Sequence, residues 1–329
     1  MAVDTMVATQ AQAPAWKRIG TMREAGLIAI ILALGIVMSF ASPHFLTFGN
    51  MRAMLMSFSV EGIVVVGMTI LLIVGGIDLA VGSVVCFAMV LAGSLFLAGV
   101  DPWTASLVGI LASSIIGMIM GFFVTVVGLN HFITSLAAMV IVRGLCLVIT
   151  KGTPLSLFTL PASFKAVGQG TFHGVPYVIL IFVAVVVLFD FLLRRATAFR
   201  KVFYTGSNEK AALYSGIKTK QVKFWVTVLC STLAGVAGVI YMSRFGAATP
   251  TFGVGMELNI IAAAVIGGAS LNGGSGTILG AILGMALLSV VTSSLILLDV
   301  SVYWQDMIKG CILLAAVSID HLLHKRKAA

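Results

Sequence analysis

The chain has 329 residues, of which 60% are hydrophobic and 9% are charged, with a formal net charge of +9. Soluble domains carry about 25% charged residues, so this composition excludes a water-soluble fold. Apolar runs recur along the whole length and predict a polytopic integral membrane protein. The basic residues lie in short blocks between or beyond those runs, which argues against nucleic acid as a partner and for contact with a lipid bilayer.

A hydrocarbon core about 30 Å thick needs about 20 apolar residues as a helix. Ten segments meet or approach this length, so we expect an all-α bundle of about ten spans. The short segment 257–270 predicts a half-span or a re-entrant piece. The candidate spans are 25–42, 58–75, 80–100, 103–128, 132–150, 175–193, 224–243, 257–270, 277–298 and 302–320.

The basic blocks predict the orientation. One precedes the first span, a second fills the loop 194–223, and a third ends the chain. Basic loops face the cytoplasm. Six predicted spans separate the first block from the second and four separate the second from the third, so all three blocks lie on the cytoplasmic side. The expected layout is a cytoplasmic tail at 1–24, a membrane domain at 25–322 with a cytoplasmic loop at 194–223, and a cytoplasmic tail at 323–329.

The first unusual stretch is GGIDLAVGS at 75–83. Paired glycines loosen or end a helix, so we expect a break between the second and third spans. Asp78 then has two interpretations. It caps a helix that starts near Leu79, or it lines or gates a polar pathway, because carboxylates at membrane depth persist only against protein or water.

A second stretch, GGASLNGGSGT at 267–277, resembles the first. Broken segments in corresponding positions of two halves indicate a possible internal duplication. An even number of predicted spans lies between the two copies, which favours a parallel repeat. If 257–270 does not cross the membrane, that number becomes odd, and an inverted repeat is then the alternative. The aligned pairs are Gly75 with Gly267, Gly76 with Gly268, Leu79 with Leu271, Gly82 with Gly274 and Ser83 with Ser275.

The remaining polar and small residues favour structural roles. We interpret Glu61 as interfacial, and Arg143 and Lys309 as snorkelling to the headgroups. The histidines, at 44, 131, 173, 321 and 324, fall in loops or at span ends and are expected at the surface. The G-x-x-x-G pairs at 117/121 and 280/284 predict close helix packing, and the cysteines, at 86, 146, 230 and 311, predict packing too.

The loop 194–223 contains a short helix signal. Asn208 or Ser207 can cap a helix over residues 209–215 that ends at Gly216. Ala211, Ala212 and Tyr214 would give it a partly apolar face for a partner, although a solvated basic loop explains the residues equally well. No phosphate-binding G-x-x-x-x-G-K-[ST] occurs in the chain, so we expect any ATPase to be a separate subunit.

Three motifs together resemble the permease subunit of ribose-type ABC sugar importers: GGIDLAVGSV, GSNEKAALYSGI and AAAVIGGASLNGGSGTILGAILG. The resemblance covers about residues 25 to 322, with the motifs in the family's order. It implies a bacterial inner-membrane protein that imports a monosaccharide. It also implies a second permease copy or a related permease, a cytoplasmic ATPase that hydrolyses the ATP, and a periplasmic sugar-binding protein. No cofactor, metal or catalytic residue is expected in this chain.

The resemblance also implies residue roles. Ala80 and Ser207 depart from the family's usual serine and glycine. Trp304, Gln305 and Asn259 are candidates for the passage lining. The positions that match the ATPase-coupling loop are Gly206, Asn208, Glu209, Ala211, Ala212 and Gly216. The positions assigned to the pathway and its gating are Gly75, Gly76, Asp78, Ser83, Gly267, Gly268, Asn272 and Gly274.

Alternatives remain at this point. Permeases of the same architecture would carry a nucleoside, a branched-chain amino acid or a furanosyl signalling molecule. A secondary carrier would need buried titratable groups, and few occur here. A membrane enzyme would need a catalytic constellation, and none is evident.

Overall fold

A computed structural model of the chain describes residues 23–305, 307–312, 314 and 318. A π-helical turn, Phe123–Val127, extends the fourth helix, and the short strands pair as β1 (Leu155–Ser156) with β4 (Ala247–Ala248) and β2 (Thr171–Phe172) with β3 (Val175–Pro176). The helices are α1 (Arg23–Ala41), α2 (Phe48–Ile73), α3 (Val81–Leu97), α4 (Pro102–Phe122), α5 (His131–Thr150), α6 (Ala162–Gln169), α7 (Tyr177–Arg195), α8 (Thr197–Ser207), α9 (Glu209–Tyr214), α10 (Thr219–Phe245), α11 (Met256–Ile266) and α12 (Ile278–Leu297).

The described residues include seven helices long and apolar enough to cross a membrane: α1, α2, α4 with its π-helical turn, α5, α7, α10 and α12. The prediction of an all-α polytopic bundle is confirmed. The helix α11 has 11 residues, and at about 1.5 Å per residue it is too short to cross the bilayer alone. It therefore agrees with the half-span predicted at 257–270.

The ends of the chain are only partly described. The predicted tail at 1–24 lies outside the described residues except for 23 and 24, and the tail at 323–329 lies outside them entirely. The predicted tenth span, 302–320, is helical at 302–305 and 307–312, and much of the remainder is outside the described residues.

The core of the bundle lies where α10 packs against α2, α3 and α4. The helix α3 is apolar on all sides and has only 17 residues, most of them buried, as expected for a helix surrounded by protein rather than lipid. A Cβ placed on Gly67 of α2 would lie 3.0 Å from the Cα of Cys230 in α10. Cys86 and Cys146 are buried as well, so the packing role is confirmed for these cysteines, but Cys311 is exposed.

The helices α1, α5 and α7 lie at the periphery of the bundle, and most of the residues in each are not buried by the rest of the chain. The helix α1 packs against α12. Met38, Phe45 and Val290 form a small cluster beside this contact, and the Thr277 hydroxyl donates a hydrogen bond to the Glu24 carboxylate over 3.1 Å.

The G-x-x-x-G glycines lie at helix contacts, so their packing role is confirmed. A Cβ on Gly117 of α4 would lie 2.8 Å from the Cβ of Ser231 in α10. Gly280 and Gly284 of α12 lie against the backbone carbonyls of Gly267 and Ala263. Such contacts let helix backbones approach closely, which is the main source of association between helices in lipid.

The segment between α5 and α7 is more ordered than the sequence indicates. It forms α6 and a hairpin, and α6 covers one end of α10. The Gly168 N–H donates to the Ser243 hydroxyl over 2.9 Å, and that hydroxyl donates to the Phe164 carbonyl over 2.8 Å. The helix α6 has eight residues, so it is too short to give a strong periodic signal.

We predict that Gly117→Leu lowers the free energy of unfolding by about 1–3 kcal/mol, because the new side chain overpacks the contact between α4 and α10. The thermal unfolding midpoint in detergent measures this. Gly144→Leu is the matched control, since Gly144 lies within α5 and has nothing within 4 Å of a new Cβ. Equal midpoints for the two variants would contradict the packing role of Gly117.

Candidate functional site

The first glycine stretch ends α2. The Gly75 N–H donates to the Leu72 carbonyl and the Gly76 N–H donates to the Leu71 carbonyl, each over 2.9 Å. Gly75 has a backbone φ of 86°, which residues with a Cβ atom rarely adopt. The pattern is a Schellman motif, so the predicted break between the second and third spans is confirmed.

Asp78 lies in this break and is fully buried. Its Oδ1 accepts a hydrogen bond from the Ala80 N–H over 2.7 Å, while Oδ2 has no hydrogen-bond partner among the described residues. The helix begins at Val81 with Ala80 as its N-cap residue, two residues later than expected, so Asp78 stabilises the turn that leads into α3. Ser83, in the first turn of α3, is also buried, and its hydroxyl has no partner in the described part of the chain.

His131 fixes the same break from α5, and the expectation of a surface histidine is wrong. Its Nδ1 lies 2.9 Å from the Ile77 carbonyl oxygen and its Nε2 lies 2.9 Å from the Thr227 hydroxyl of α10. Ser135, one turn further along α5, donates to the same Ile77 carbonyl over 3.2 Å. The irregular backbone of the break is therefore hydrogen-bonded by neighbouring helices, as a non-helical segment at membrane depth requires.

The second glycine stretch ends α11 in the same way, but one residue later. The Gly268 N–H donates to the Val265 carbonyl over 3.0 Å, and the Ala269 N–H donates to the Ala264 carbonyl over 2.9 Å. Gly268, with a φ of 105°, is therefore the structural counterpart of Gly75. The sequence alignment, which pairs Gly75 with Gly267, is one residue out.

The residues after Gly268 close a small loop. The Ser270 N–H donates to the Ser275 carbonyl over 3.0 Å, and the Asn272 N–H donates to the Ser270 hydroxyl over 3.2 Å. The Asn272 side chain is exposed. Gly273 and Gly274 have φ values of 84° and 79°, which lets this loop turn tightly.

The coupling-loop motif forms the predicted short helix, α9. Asn208 is its N-cap, and its Oδ1 accepts from the Ala211 N–H over 3.0 Å. Gly216, with a φ of 82°, ends it, and the Ile217 N–H donates to the Ala212 carbonyl over 3.0 Å. The preceding helix α8 was not predicted, because the basic residues of this segment were interpreted only as loop. We call the α8–α9 pair the elbow.

The three motifs meet at one place. The Gly274 N–H donates to the Ile73 carbonyl over 2.8 Å. Gly206 of the elbow lies against both groups: a Cβ there would overlap the Ile73 carbonyl oxygen and lie 2.7 Å from the Gly274 nitrogen. A Cβ on Gly273 would lie 2.9 Å from the Gly206 oxygen and 3.1 Å from the Gly75 Cα. We call these five residues the glycine junction.

The elbow exposes apolar side chains on its outer surface. Tyr204, Leu213 and Tyr214 are 58%, 57% and 89% exposed, and we call them the apolar face. Ala212 was predicted to belong to a partner-binding face, but it is buried and packs inward. The Glu209 carboxylate pairs with Lys223 of α10 over 2.6 Å, a partly exposed ion pair that adds little stability.

Glu61 and Arg143 are engaged inside the bundle, so the interfacial interpretation of Glu61 and the snorkelling interpretation of Arg143 are wrong, while that of Lys309 stays a prediction. Arg143 donates to the Pro250 and Phe252 carbonyls over 3.0 and 2.6 Å, which holds the segment between α10 and α11. Glu61 lies in the middle of α2, since that helix begins at Phe48 rather than near 58. It lines a cavity together with Lys309.

The passage-lining candidates have separate positions. Asn259 of α11 lines the same cavity as Glu61. The Gln305 amide donates to the Val300 carbonyl over 2.8 Å and is buried, which indicates a packing role. Trp304 is 58% exposed.

Comparison with known proteins agrees with this architecture. The family model described as "Branched-chain amino acid transport system / permease component" matches residues 50–317. The chain is 36% identical to the ribose import permease protein RbsC of Bacillus subtilis, over 92% of this chain and 94% of the relative. It is 34% identical to the L-arabinose ABC transporter permease protein AraH of Azospirillum brasilense, over 96% and 94%.

It is also 33% identical to the D-allose transport system permease protein AlsC of Escherichia coli, over 94% of this chain and 93% of the relative. No solved structure matches the chain. The matches extend over the glycine junction, the elbow and nearly all of the helices around them. The chain is a multi-pass membrane protein that belongs to the permease-component family of branched-chain amino acid transport systems and, within it, to the ribose-type ABC sugar importer permeases.

Proposed function

We propose that this chain is the membrane subunit of an importer that moves a monosaccharide into the cell with energy from a separate ATPase. The observation that carries the proposal is the glycine junction, where the elbow contacts the end of α2 and the loop that follows α11 through backbone atoms. The sugars named for its relatives are ribose, L-arabinose and D-allose, which supports a monosaccharide as the solute.

The elbow faces the cytoplasm of a bacterial cell in this proposal, and so do both chain termini. The support is the positive-inside bias of membrane proteins. The loop 194–223 is the most basic segment of the chain, with Arg194, Arg195, Arg200, Lys201, Lys210, Lys218, Lys220 and Lys223. The membrane is the inner membrane, and a sugar-binding protein docks on the opposite end of the bundle.

The apolar face is the ATPase docking surface in this mechanism. Exposed tyrosine and leucine side chains on a short helix suit a hydrophobic groove on a partner. Beside them, a cleft of about 340 Å³ between α8 and α9, lined in part by Ser207, Ala211 and Ile217, can receive a partner's side chain. Asn208, Glu209 and Gly216 fix the shape of this surface rather than contact the solute.

Movement of the elbow then reaches the helices through the glycine junction. Because Gly206 has no room for a Cβ against Ile73 and Gly274, displacement of α8 pushes on backbone atoms rather than on flexible side chains. The ends of α2 and α11 would shift as bodies, and α3 and α12 with them. Gly75, Gly76, Gly267 and Gly268 let the chain turn there, and Asp78 with Ser83 supplies polar groups at the break.

The pathway is completed by a second permease subunit, either another copy of this chain or a relative. ATP is hydrolysed by the partner subunit, since this sequence has no phosphate-binding loop.

We predict that Gly206→Val reduces sugar uptake by at least about tenfold, because the new side chain overlaps backbone atoms of the glycine junction. The ATPase should still copurify, since the apolar face is unchanged. Uptake of labelled sugar and copurification from membranes measure the two effects. Gly35→Val is the control, because Gly35 lies in α1 with nothing within 4 Å. Normal uptake by Gly206→Val would contradict transmission through the junction.

We predict that Tyr214→Asp weakens ATPase binding by more than about tenfold, because a charge replaces an exposed aromatic anchor. Affinity between the purified permease and its ATPase measures this. Tyr303→Asp is the matched control, since Tyr303 is 88% exposed and lies after α12, away from the elbow. Equal affinity for both variants would place the ATPase elsewhere.

The overall function is tested by uptake in cells that express the complete importer. We expect accumulation of one of ribose, arabinose or allose that survives a protonophore but stops when ATP is depleted. Accumulation that stops with the protonophore while ATP remains would identify a secondary carrier. Accumulation of leucine or a nucleoside but none of the sugars would assign a different solute.

A further inference from the structure

A cavity of about 240 Å³ lies in the half of the bundle away from the glycine junction. It is formed by the first half of α2, by α11, by the second half of α12 and by the helical residue Lys309. Its lining combines apolar groups, such as Phe58 and Leu288, with several hydroxyls and amides. Ionisable side chains are rare in membrane spans and usually mark functional sites, so a cavity that contains Glu61 and Lys309 indicates a role beyond packing.

Glu61 marks the inner limit of the cavity along α2. From Gly62 to Ile73 every residue of α2 is buried. Gly62 lies against the Phe182 ring of α7, and Phe58 meets the same ring edge-to-face with centroids 5.1 Å apart. The carboxylate therefore lies where open space gives way to tightly packed protein.

Positive charges on two other elements act on this carboxylate. They are Lys309, which lines the cavity, and Arg244 of α10. The Arg244 guanidinium donates to the Ser57 hydroxyl over 3.3 and 3.4 Å, which fixes it one turn of α2 from Glu61. A carboxylate at this depth is expensive unless cations compensate it, and such residues usually serve function.

The uncharged lining groups point to the chemistry of the ligand. Asn259, Ser289 and Thr292 line the cavity, and so do Asn50 and Ser293, which are joined by a hydrogen bond of 3.2 Å. Hydroxyls and amides both donate and accept, as the hydroxyls of a polyol do. A carboxylate accepts hydrogen bonds from hydroxyls, an ammonium donates to them, and charged partners make such bonds stronger.

We propose that this cavity is a receiving site for a small polyhydroxy solute inside the permease chain. The Glu61 carboxylate accepts hydrogen bonds from solute hydroxyls, while Lys309 and the Asn259 amide donate to them. The inference rests on the proposed function, since it places the imported sugar at a point on its route before the helices that the elbow moves.

Protection of a cysteine in the cavity tests this. In a Cys311→Ser background, Thr292→Cys is placed on the cavity wall, and the remaining cysteines, Cys86, Cys146 and Cys230, are buried. The full-length chain, in right-side-out membrane vesicles, is treated with a membrane-impermeant thiol reagent. Ribose, arabinose or allose should slow modification of Thr292→Cys several-fold. Ala98→Cys, exposed at the end of α3, should react at the same rate with and without sugar.

The role of the carboxylate is tested by adding Glu61→Gln to Thr292→Cys. The half-protecting sugar concentration should rise by about tenfold, since a hydrogen bond to a charged acceptor is replaced by a neutral one. Asp101→Asn is the control, because Asp101 caps α4 through bonds to backbone N–H groups at 3.0 and 3.2 Å, a role that asparagine also fills. An unchanged concentration in Glu61→Gln would overturn the assignment of that residue.

Three outcomes overturn the cavity proposal. In the first, Thr292→Cys fails to react, which would show that the cavity is closed to polar solutes. In the second, the cysteine reacts but no sugar protects it. In the third, leucine protects the cysteine and the sugars do not. Uptake measured in the same strain separates this inference from the proposed function. If sugar uptake depends on ATP but no sugar protects the cysteine, the receiving site is rejected and the proposed function stands. If sugar protects the cysteine but uptake does not depend on ATP, the energy coupling is rejected and the receiving site stands.

Discussion

The arrangement of this protein depends on a contact between backbones. The Ile73 carbonyl accepts the Gly274 N–H over 2.8 Å, and Gly206 lies against both groups with no room for a Cβ. Three segments far apart in the sequence are joined there without an intervening side chain. Contacts of this kind are stiff, because backbone atoms have no rotamers through which to absorb a displacement. The glycines are therefore required by proximity at Gly206 and by backbone conformation at Gly75 and Gly268.

Several polar side chains inside the bundle hydrogen-bond to irregular backbone segments. His131 holds the first break through the Ile77 carbonyl, and Arg143 holds the segment before α11 through two carbonyls. Each of these side chains satisfies irregular backbone that the lipid cannot hydrogen-bond. Glu61 differs from them, because it lies beside open space rather than beside orphaned backbone. That difference supports the binding role proposed for Glu61.

The sequence was sufficient for features that depend on local chemistry. Apolar length predicted the helical bundle but not every span, since α2 begins about ten residues earlier than expected. The capping residue Asn208 with the terminator Gly216 predicted α9. The glycine pairs predicted both breaks, but not that Gly268 rather than Gly267 corresponds to Gly75, because the residue at which a helix ends depends on its packing. The positions of Glu61, Arg143 and His131 could not be derived, since each depends on groups that the chain brings close only after folding. The meeting of the three motifs at Gly206 was inaccessible for the same reason.

The packing of α1 against α12 has a consequence for biosynthesis. The two helices are Arg23–Ala41 and Ile278–Leu297, so α1 leaves the ribosome well before its partner α12 is synthesised. Until then Met38 of α1 and Phe45 in the segment after it, which later pack with Val290 of α12, face lipid or the insertion machinery. Formation of this contact therefore waits for synthesis of α12, and a nascent polypeptide that stops before α12 leaves one side of α1 unpaired, where quality control can recognise it.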